Sequence, residues 1–213
     1  MYNLEVEGDH CYRVGEQGLL VHNTSAPCPC TLPGFPDPTM KPLFKEYLGF
    51  DGMARPRGVK ARLNKNTIGD GSDADKNIFP PGWDERANKT FTGPDGKYKT
   101  IIARGHLLAA DLGGSGKKPS NLVTVCQHST NQQMRSIEQL VKKIILTLKG
   151  DVVDYEVEVV YDGAKIPSGI KIRSSSIDPD NPKFCWTDLL SLYWDKPISN
   201  ETDPYKCKGA ENG

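Results

Sequence analysis

The amino-acid sequence predicts an α+β fold with a small antiparallel sheet and packed helices. Residues 152–161 and 168–174 alternate apolar and polar side chains, which predicts a β hairpin. A helical period runs over residues 131–149, and Gly- and Pro-rich loops separate these elements without an internal repeat. The 213 residues, 37% of them hydrophobic, suffice for one buried core. We therefore expect one main domain and a smaller additional segment.

The composition argues against several classes of protein. Lys plus Arg and Asp plus Glu both number 27, and this zero net charge argues mildly against an obligate nucleic-acid binder while permitting a local basic groove. No apolar run is long enough to cross a bilayer, so we expect a soluble chain without a signal peptide. The six cysteines are too scattered for a small disulfide scaffold, and Cys28-Pro29-Cys30 lacks the paired spacing of a zinc site.

Residues 1–24 form the smaller predicted segment. Apolar and polar positions alternate in short runs with glycines between them, which predicts small β structure. The segment resembles the C-terminal edge of the intein-like Hint autoprocessing domain through Tyr2-Asn3-Leu4-Glu5-Val6, Gly15 to Gly18 and Val21-His22-Asn23. In that family the histidine assists cyclisation of the asparagine, which releases the downstream polypeptide. The resemblance implies a processing role for His22 and Asn23.

The match covers only the last strands of such a domain, without the part that bears the nucleophile, so we take His22-Asn23 as a boundary marker. An ordinary hairpin that ends in His-Asn is the alternative. Residues 25–42 contain six prolines with Cys28 and Cys30, a composition that excludes a regular helix or a central strand. We predict a linker here and the main domain over residues 43–213.

A basic cluster opens the main domain. Val59, Ala61 and Leu63 alternate with Lys60 and Arg62, as on a strand with one apolar face. Such a strand could track a phosphate backbone, and Arg55 and Arg57 could join it if the chain bulges at the intervening Pro and Gly. A solvated edge strand protected by its charges is the equal alternative. Residues 69–82 then form a predicted loop in which Asp70, Asp73 and Asp75 are turn formers.

A set of polar residues comes next in a fixed order. A predicted strand over 98–103 leads into Arg104-Gly105, and His106 leaves its edge before a Gly113-Gly114-Ser115-Gly116 loop and Asn121-Leu122-Val123. On the predicted helix, positions i, i+4, i+7 and i+11 share one face. This face holds Asn131, Arg135, Glu138 and Lys142. Apolar residues occupy the adjoining arc, so the polar row can face a cleft; a solvated charged face is the common alternative.

This ordered set, over roughly residues 50–175, resembles the DNA/RNA non-specific endonuclease family. The fold of that family is the ββα-metal (His-Me finger) core. The resemblance implies that His106 is the general base, Arg104 the motif arginine, Asn131 the metal-binding asparagine and Glu138 the acid on the metal-site helix. Asn121 matches an asparagine that flanks this site. The sequence departs from the family in having Ala103 where an Asp is usual, a short interval from Asn131 to Glu138, and Lys142 in place of an arginine.

These residue types suit phosphodiester hydrolysis. A neutral imidazole at His106 can accept a proton from water near neutral pH. Mg²⁺ (or Mn²⁺) bound to Asn131, and to Glu138 through water, would stabilise the phosphoryl charge and the leaving oxygen. Arg104, Arg135 and Lys142 would contact phosphates. Phosphate contacts read no base identity, so low sequence specificity on DNA and RNA is expected.

The substrate-binding set predicted from the sequence is Arg55, Arg57, Lys60, Arg62 and Asn121. A Hint remnant before a nuclease resembles polymorphic toxins, which implies a secreted bacterial carrier, action in the cytoplasm of a target cell, a cognate immunity protein and no membrane partner; we expect a monomer. Two alternatives stay open. One is an inactive nucleic-acid-binding module, suggested by Ala103 and by the basic cluster from Arg55 to Lys65. The other is a cysteine-based enzyme or redox protein that uses Cys28, Cys30 or Cys126, although no expected Cys-x-x-Cys or Cys/His pairing is present.

Overall fold

The computed structural model describes residues 43–85, 100–147, 152–175, 197–203 and 206–207, and the backbone alone at 11–14, 19–22, 91–92, 98–99, 176–177 and 185–187. Within these residues the chain has one α-helix, α1 (Thr130–Thr147). The strands, in chain order, are β1 (Cys11–Val14), β2 (Leu19–His22), β3 (Phe44–Tyr47), β4 (Gly58–Leu63), β5 (Phe91–Thr92), β6 (Tyr98–Lys99), β7 (Ile102–His106), β8 (Leu122–Cys126), β9 (Val152–Val160), β10 (Gly169–Ile177), β11 (Cys185–Thr187) and β12 (Ile198–Ser199). No helix of the described segments has the length and apolar character to cross a bilayer.

The main antiparallel sheet has the order β11–β10–β9–β4–β3, and β12 pairs with β10. The predicted hairpin is β9 with β10, in which Ile170 lies opposite Val159. β4 pairs with β9 and is buried along its length except at the half-buried Lys60. The hairpin therefore extends the sheet of β3 and β4 and does not join the strand that bears His106.

A separate two-stranded ribbon bears the polar motif. β7 pairs with β8, so that His106 lies opposite Leu122. The predicted strand over 98–103 is divided between β6 and β7, and His106 is the last residue of β7. α1 begins four residues after β8 ends, close to the predicted start. Two strands followed by a helix, beside an antiparallel sheet, confirm the predicted α+β class.

One hydrophobic core joins the helix, the ribbon and the main sheet. The buried face of α1 is the apolar arc predicted from its helical period, with Met134, Ile137, Val141 and Ile145 inside. These residues cluster with Val123 and Val125 of β8 and with Val153, Tyr155 and Val157 of β9. The ribbon and the helix are consequently fixed to the same sheet, and their polar ends are held at one edge of the core.

The connection from β7 to β8 folds back through glycines. Leu107, Leu108 and Leu112 are fully buried and anchor it. Gly113 has φ +89°, which L side chains rarely adopt, and a Cβ at Gly114 would overlap the carbonyl oxygen of Leu108. The glycines thus let a single-turn 3-10 helix at Ala110–Leu112 lie against α1.

A disulfide joins Cys126, at the end of β8, to Cys207 in the C-terminal segment, 81 residues away. The same segment is hydrogen-bonded to the ribbon and the helix: Asn200 Oδ1 accepts from the Cys126 amide at 2.9 Å, and Thr130 donates to the Ser199 carbonyl at 2.8 Å. A bonded Cys126 offers no thiolate, which argues against its use as a nucleophile in this oxidised state. Cys28 and Cys30 lie outside the described residues.

Candidate active site

A cleft of about 370 Å³ lies between the ribbon and the first turns of α1. Its walls include five residues predicted from the sequence: Arg104, His106, Asn131, Arg135 and Glu138. Asp73, Asp111 and Gln139, which were not among the predicted site residues, complete the polar lining. The structure therefore brings the imidazole and the amide of the predicted site to one cavity.

His106 is held by a backbone carbonyl. Its Nε2 lies 3.1 Å from the carbonyl oxygen of Ser72. Since a carbonyl oxygen only accepts, this contact requires the proton on Nε2 and leaves Nδ1 as the basic nitrogen. Burial lowers the pKa of His106 below 6.5, while the Ser72 hydrogen bond and the charge of Asp73 act in the opposite direction. The neutral imidazole is thus the dominant form at neutral pH.

The segment at Ser72 is positioned by the glycine loop. The Ser72 amide donates to the Gly114 carbonyl at 3.0 Å, and the Gly116 amide donates to both the carbonyl and the hydroxyl of Ser72. A Cβ at Gly116 would overlap the Asp73 carbonyl, so only glycine permits this approach. No local pattern indicated that residues 72 and 114–116 would meet. Asp73 was expected to be only a turn former, but it also lines the cleft, and its charge raises the pKa of His106.

Asn131 lies in the first turn of α1, with its side chain oriented by a neighbour. Its Nδ2 donates to Gln127 Oε1 at 3.1 Å. The amide nitrogen is thereby engaged, and Oδ1 is the atom available to a cation in the cleft. Thr130 and the segment at Ser199 fix the start of the helix, which keeps this amide at the cleft.

Glu138 is buried, with 8% of its surface exposed. Burial raises the pKa of its carboxyl to about 8, the negative charge of Asp111 adds to this, and Arg135 opposes it. A divalent cation beside Glu138 would favour the ionised form. No three His, Cys, Asp or Glu side chains gather around a point in the described part of the chain. One amide oxygen, a buried carboxylate and room for water nevertheless fit a hydrated Mg²⁺.

Asp111 has a bridging role that the sequence did not indicate. Its Oδ2 accepts from Gln139 Nε2 at 2.8 Å and from Lys142 Nζ at 3.1 Å. These two hydrogen bonds lower the pKa of Asp111. Lys142 therefore neutralises a carboxylate of the 3-10 turn in this structure, and it is not among the residues that line the cleft. The exposed Arg135 is the cation of the helical row that faces the cavity.

Arg104 is committed to the protein more than the sequence suggested. Its Nε donates to the Ile78 carbonyl at 2.7 Å and its Nη2 to the Lys76 carbonyl at 3.0 Å. Its guanidinium carbon lies 3.9 Å from the centre of the Trp83 ring, and 16% of the side chain is exposed. Arg104 therefore fixes the loop at 76–83 to the ribbon and lines one wall of the cleft, and its Nη2 lies 3.7 Å from the Glu85 carboxylate.

Two residues predicted to bind substrate are buried. Arg62 has no exposed surface, and its Nε and Nη2 donate to the Asp154 carboxylate at 2.7 and 2.9 Å. Asn121 is equally buried and binds the Leu108 backbone amide and carbonyl at 2.8 and 3.0 Å. A side chain without accessible surface cannot reach a phosphate, so both predictions are wrong. The alternation of apolar and basic residues predicted the β4 strand correctly, but the strand is covered on both faces and not only on its apolar face.

The other basic residues of the first cluster lie outside the cleft lining. Lys60 pairs with Glu156 at 3.5 Å. Arg55 binds Asp51 and the Ala164 carbonyl and stacks on the Tyr161 ring, with its guanidinium carbon 4.3 Å from the ring centre. Arg57 is exposed. The structure does not bring these three side chains to His106, and their contact with substrate stays a prediction.

The predicted processing residues are at the margin of the described structure. β1 and β2 form an antiparallel pair in which Cys11 lies opposite His22. Only the backbone of His22 is described, and Asn23 lies outside the described residues, as does the predicted linker. The Hint remnant at residues 1–24 stays a prediction.

Comparison with known proteins gives two findings. The sequence profile of the family described as DNA/RNA non-specific endonuclease matches residues 41–177, well over half of the chain. Among solved structures, NucA from Streptococcus agalactiae with bound magnesium is 20% identical, with a TM-score of 0.56 and 79% of each chain covered. The Sda1 nuclease with bound zinc is 18% identical, with a TM-score of 0.54, over 80% of this chain and 82% of that one. The search of curated proteins found no match. The chain belongs to the DNA/RNA non-specific endonuclease family.

Proposed function

We propose that this chain is a metal-dependent, sequence-non-specific endonuclease that hydrolyses phosphodiester bonds of DNA, RNA or both. The observation that supports this most is the His106–Ser72 hydrogen bond in a cleft shared with Asn131 and Glu138. A base with a fixed tautomer and oxygen donors suited to a hard cation, lining the same cleft, support this proposal.

His106 removes the proton from the attacking water through Nδ1. A general base of this kind contributes about a hundred- to ten-thousand-fold to the rate. The imidazolium that forms is stabilised by the Ser72 carbonyl and by the charge of Asp73, both of which favour the protonated ring. Because water is the nucleophile, the ribose 2′-hydroxyl is not required, and both nucleic acids are candidate substrates.

Asn131 Oδ1 and, through water, Glu138 would hold the ion. Bound there, Mg²⁺ or Mn²⁺ would supply Lewis-acid stabilisation of the phosphoryl charge and of the leaving oxygen. Magnesium in NucA and zinc in Sda1 support a divalent site of this kind in the fold. Arg135 extends the positive charge over the cleft toward the phosphates. Contacts of this type read no base sequence, which agrees with non-specific cleavage.

The biological setting is also a proposal. We assign the nuclease to the toxic C-terminal part of a secreted bacterial polymorphic toxin, preceded by a Hint remnant at 1–24 and opposed by an immunity protein. The Cys126–Cys207 disulfide supports passage through an oxidising compartment, because such bonds persist mainly outside the cytosol. Action in the target-cell cytoplasm, as a monomer, completes this proposal.

Cleavage of plasmid DNA and of RNA tests the activity. We expect wild type to nick both in Mg²⁺ and to be inactive in EDTA, and His106→Ala to lose at least a hundredfold in rate. Asn131→Ala should need more Mg²⁺ for half-maximal cleavage. Lys143→Ala, at an exposed position of α1 outside the cleft, should match wild type. Retained nucleic-acid binding without cleavage at any Mg²⁺ or Mn²⁺ concentration would instead select the inactive binding module.

A further inference from the structure

An exposed phenylalanine stands beside the wall of the cleft. Phe79 has 60% of its surface exposed, more than any other large hydrophobic residue in the described part of the chain. The centre of its ring lies 5.5 Å from the guanidinium carbon of Arg104, which lines the cleft. Burial in the core therefore does not explain why an aromatic side chain occupies this position.

The backbone around Phe79 is fixed on both sides. Before it, the carbonyls of Lys76 and Ile78 accept hydrogen bonds from Arg104. After it, Pro80 restricts the preceding residue to extended conformations, and the Pro81 carbonyl accepts from Thr124 of β8 at 3.0 Å. A ring presented by an anchored loop loses little conformational entropy when a flat ligand stacks on it.

We propose that Phe79 is a stacking platform for a nucleobase that flanks the scissile phosphate. This inference rests on the proposed nuclease function. A phosphate in the cleft brings the adjacent nucleotide past Arg104 toward the exposed ring. Every base has a π face, so stacking adds affinity without reading sequence, as a non-specific enzyme requires. A base must leave its duplex neighbours to stack on protein, so the platform favours single strands over duplex.

Binding and cleavage of labelled single-stranded oligonucleotides test the platform. Affinity is measured by fluorescence anisotropy in EDTA, and KM and kcat in Mg²⁺, with a normal oligonucleotide and one of equal length made of abasic sites. The variants are Phe79→Ala, Phe79→Trp and the control Phe50→Ala, an exposed phenylalanine on the β3–β4 hairpin outside the cleft lining.

We expect Phe79→Ala to weaken binding of the normal oligonucleotide and to raise its KM by about fivefold or more. About fivefold is the smallest loss expected when one base–aromatic stack is removed. Its values for the abasic strand and its kcat should equal those of wild type, Phe79→Trp should bind at least as tightly, and Phe50→Ala should change nothing. Equal losses on both strands, or no loss, would overturn the platform. Binding without cleavage by wild type would instead contradict the nuclease function, while the anisotropy would still decide the role of Phe79.

Discussion

The Nε2 atom of His106 lies 3.1 Å from the carbonyl oxygen of Ser72, and this one hydrogen bond determines which nitrogen of the ring is basic. Ser72 is 34 residues upstream and is hydrogen-bonded to the backbone of Gly114 and Gly116. A Cβ at Gly116 would overlap the Asp73 carbonyl, so the close approach of these two segments depends on that glycine. The Gly113–Gly116 loop therefore orients His106 indirectly, through the segment that contains Ser72.

The pH dependence of cleavage should reflect the environment of His106. Burial lowers the pKa of this imidazole below 6.5, so the acidic limb of kcat/KM should fall below that value. Because the Asp73 charge raises the pKa, Asp73→Asn should move the limb to still lower pH. Asp162→Asn, at an exposed loop residue, is the control and should leave the limb in place. A limb at or above pH 6.5, or one insensitive to Asp73, would contradict this account of the base.

Stability in the absence of metal should depend on Glu138. The pKa of its carboxyl is 4.5 ordinarily and about 8 in the folded chain. Between these values the folded state keeps a proton that the unfolded chain has lost, so stability should fall as pH rises from about 4.5 to 8. Glu138→Gln removes this pH-dependent penalty. In EDTA at pH 8 we expect the variant to have a higher Tm than wild type, with a free energy of unfolding larger by on the order of a few kcal/mol.

The same variant should lose cleavage and should no longer be stabilised by Mg²⁺, since a ligand stabilises only the folded state that it binds. Glu158→Gln is the matched control, because that carboxylate is 46% exposed and pairs with Lys171. Thermal unfolding at pH 5 and pH 8, with and without Mg²⁺, measures both effects. A Glu138→Gln advantage that is equal at the two pH values would show that the buried carboxyl is not the titrating group.

Replacement of Arg62 should affect folding and not substrate binding. Removing one partner of a buried ion pair leaves an uncompensated charge and destabilises by about 3–5 kcal/mol. We expect Arg62→Met to lose stability on this scale in urea unfolding, and Arg62→Met with Asp154→Leu to recover part of it. The exposed Arg57→Ala should unfold like wild type. Normal stability with weakened DNA binding in Arg62→Met would reinstate the phosphate role.

Reduction of the Cys126–Cys207 disulfide should loosen the C-terminal segment. A native cross-link of long sequence separation contributes about 2–4 kcal/mol. We expect dithiothreitol to lower the Tm of wild type and Cys207→Ser to show the same lowered Tm. Reductant should then have no further effect on the variant, which serves as its own control. An unchanged wild-type Tm after confirmed reduction would contradict a stabilising role for this bond.

Local sequence patterns were enough to predict the elements that have a regular period. Alternation predicted the β9–β10 hairpin, and the 3.6-residue period predicted α1, with Asn131 and Glu138 on its polar face and Met134 and Val141 in the core. The order of the polar motif indicated the family, and the structure places His106 and Asn131 in one cleft. Strand and helix faces can be predicted in this way because the direction of each side chain follows from the conformation of the few residues around it.

The surroundings of each polar side chain depend on contacts between segments that are distant in the chain. Arg62 and Arg57 are equally basic in the sequence, yet β9 supplies Asp154 to the first while the second stays in solvent. The loops that bring Ser72, Asp73 and Asp111 to the site are held in place by distant glycines and by α1. Burial and the pKa of Glu138 likewise depend on segments far away in the chain. The type of a charged side chain can be read from the sequence, but its exposure to solvent and its partners depend on how distant segments pack together.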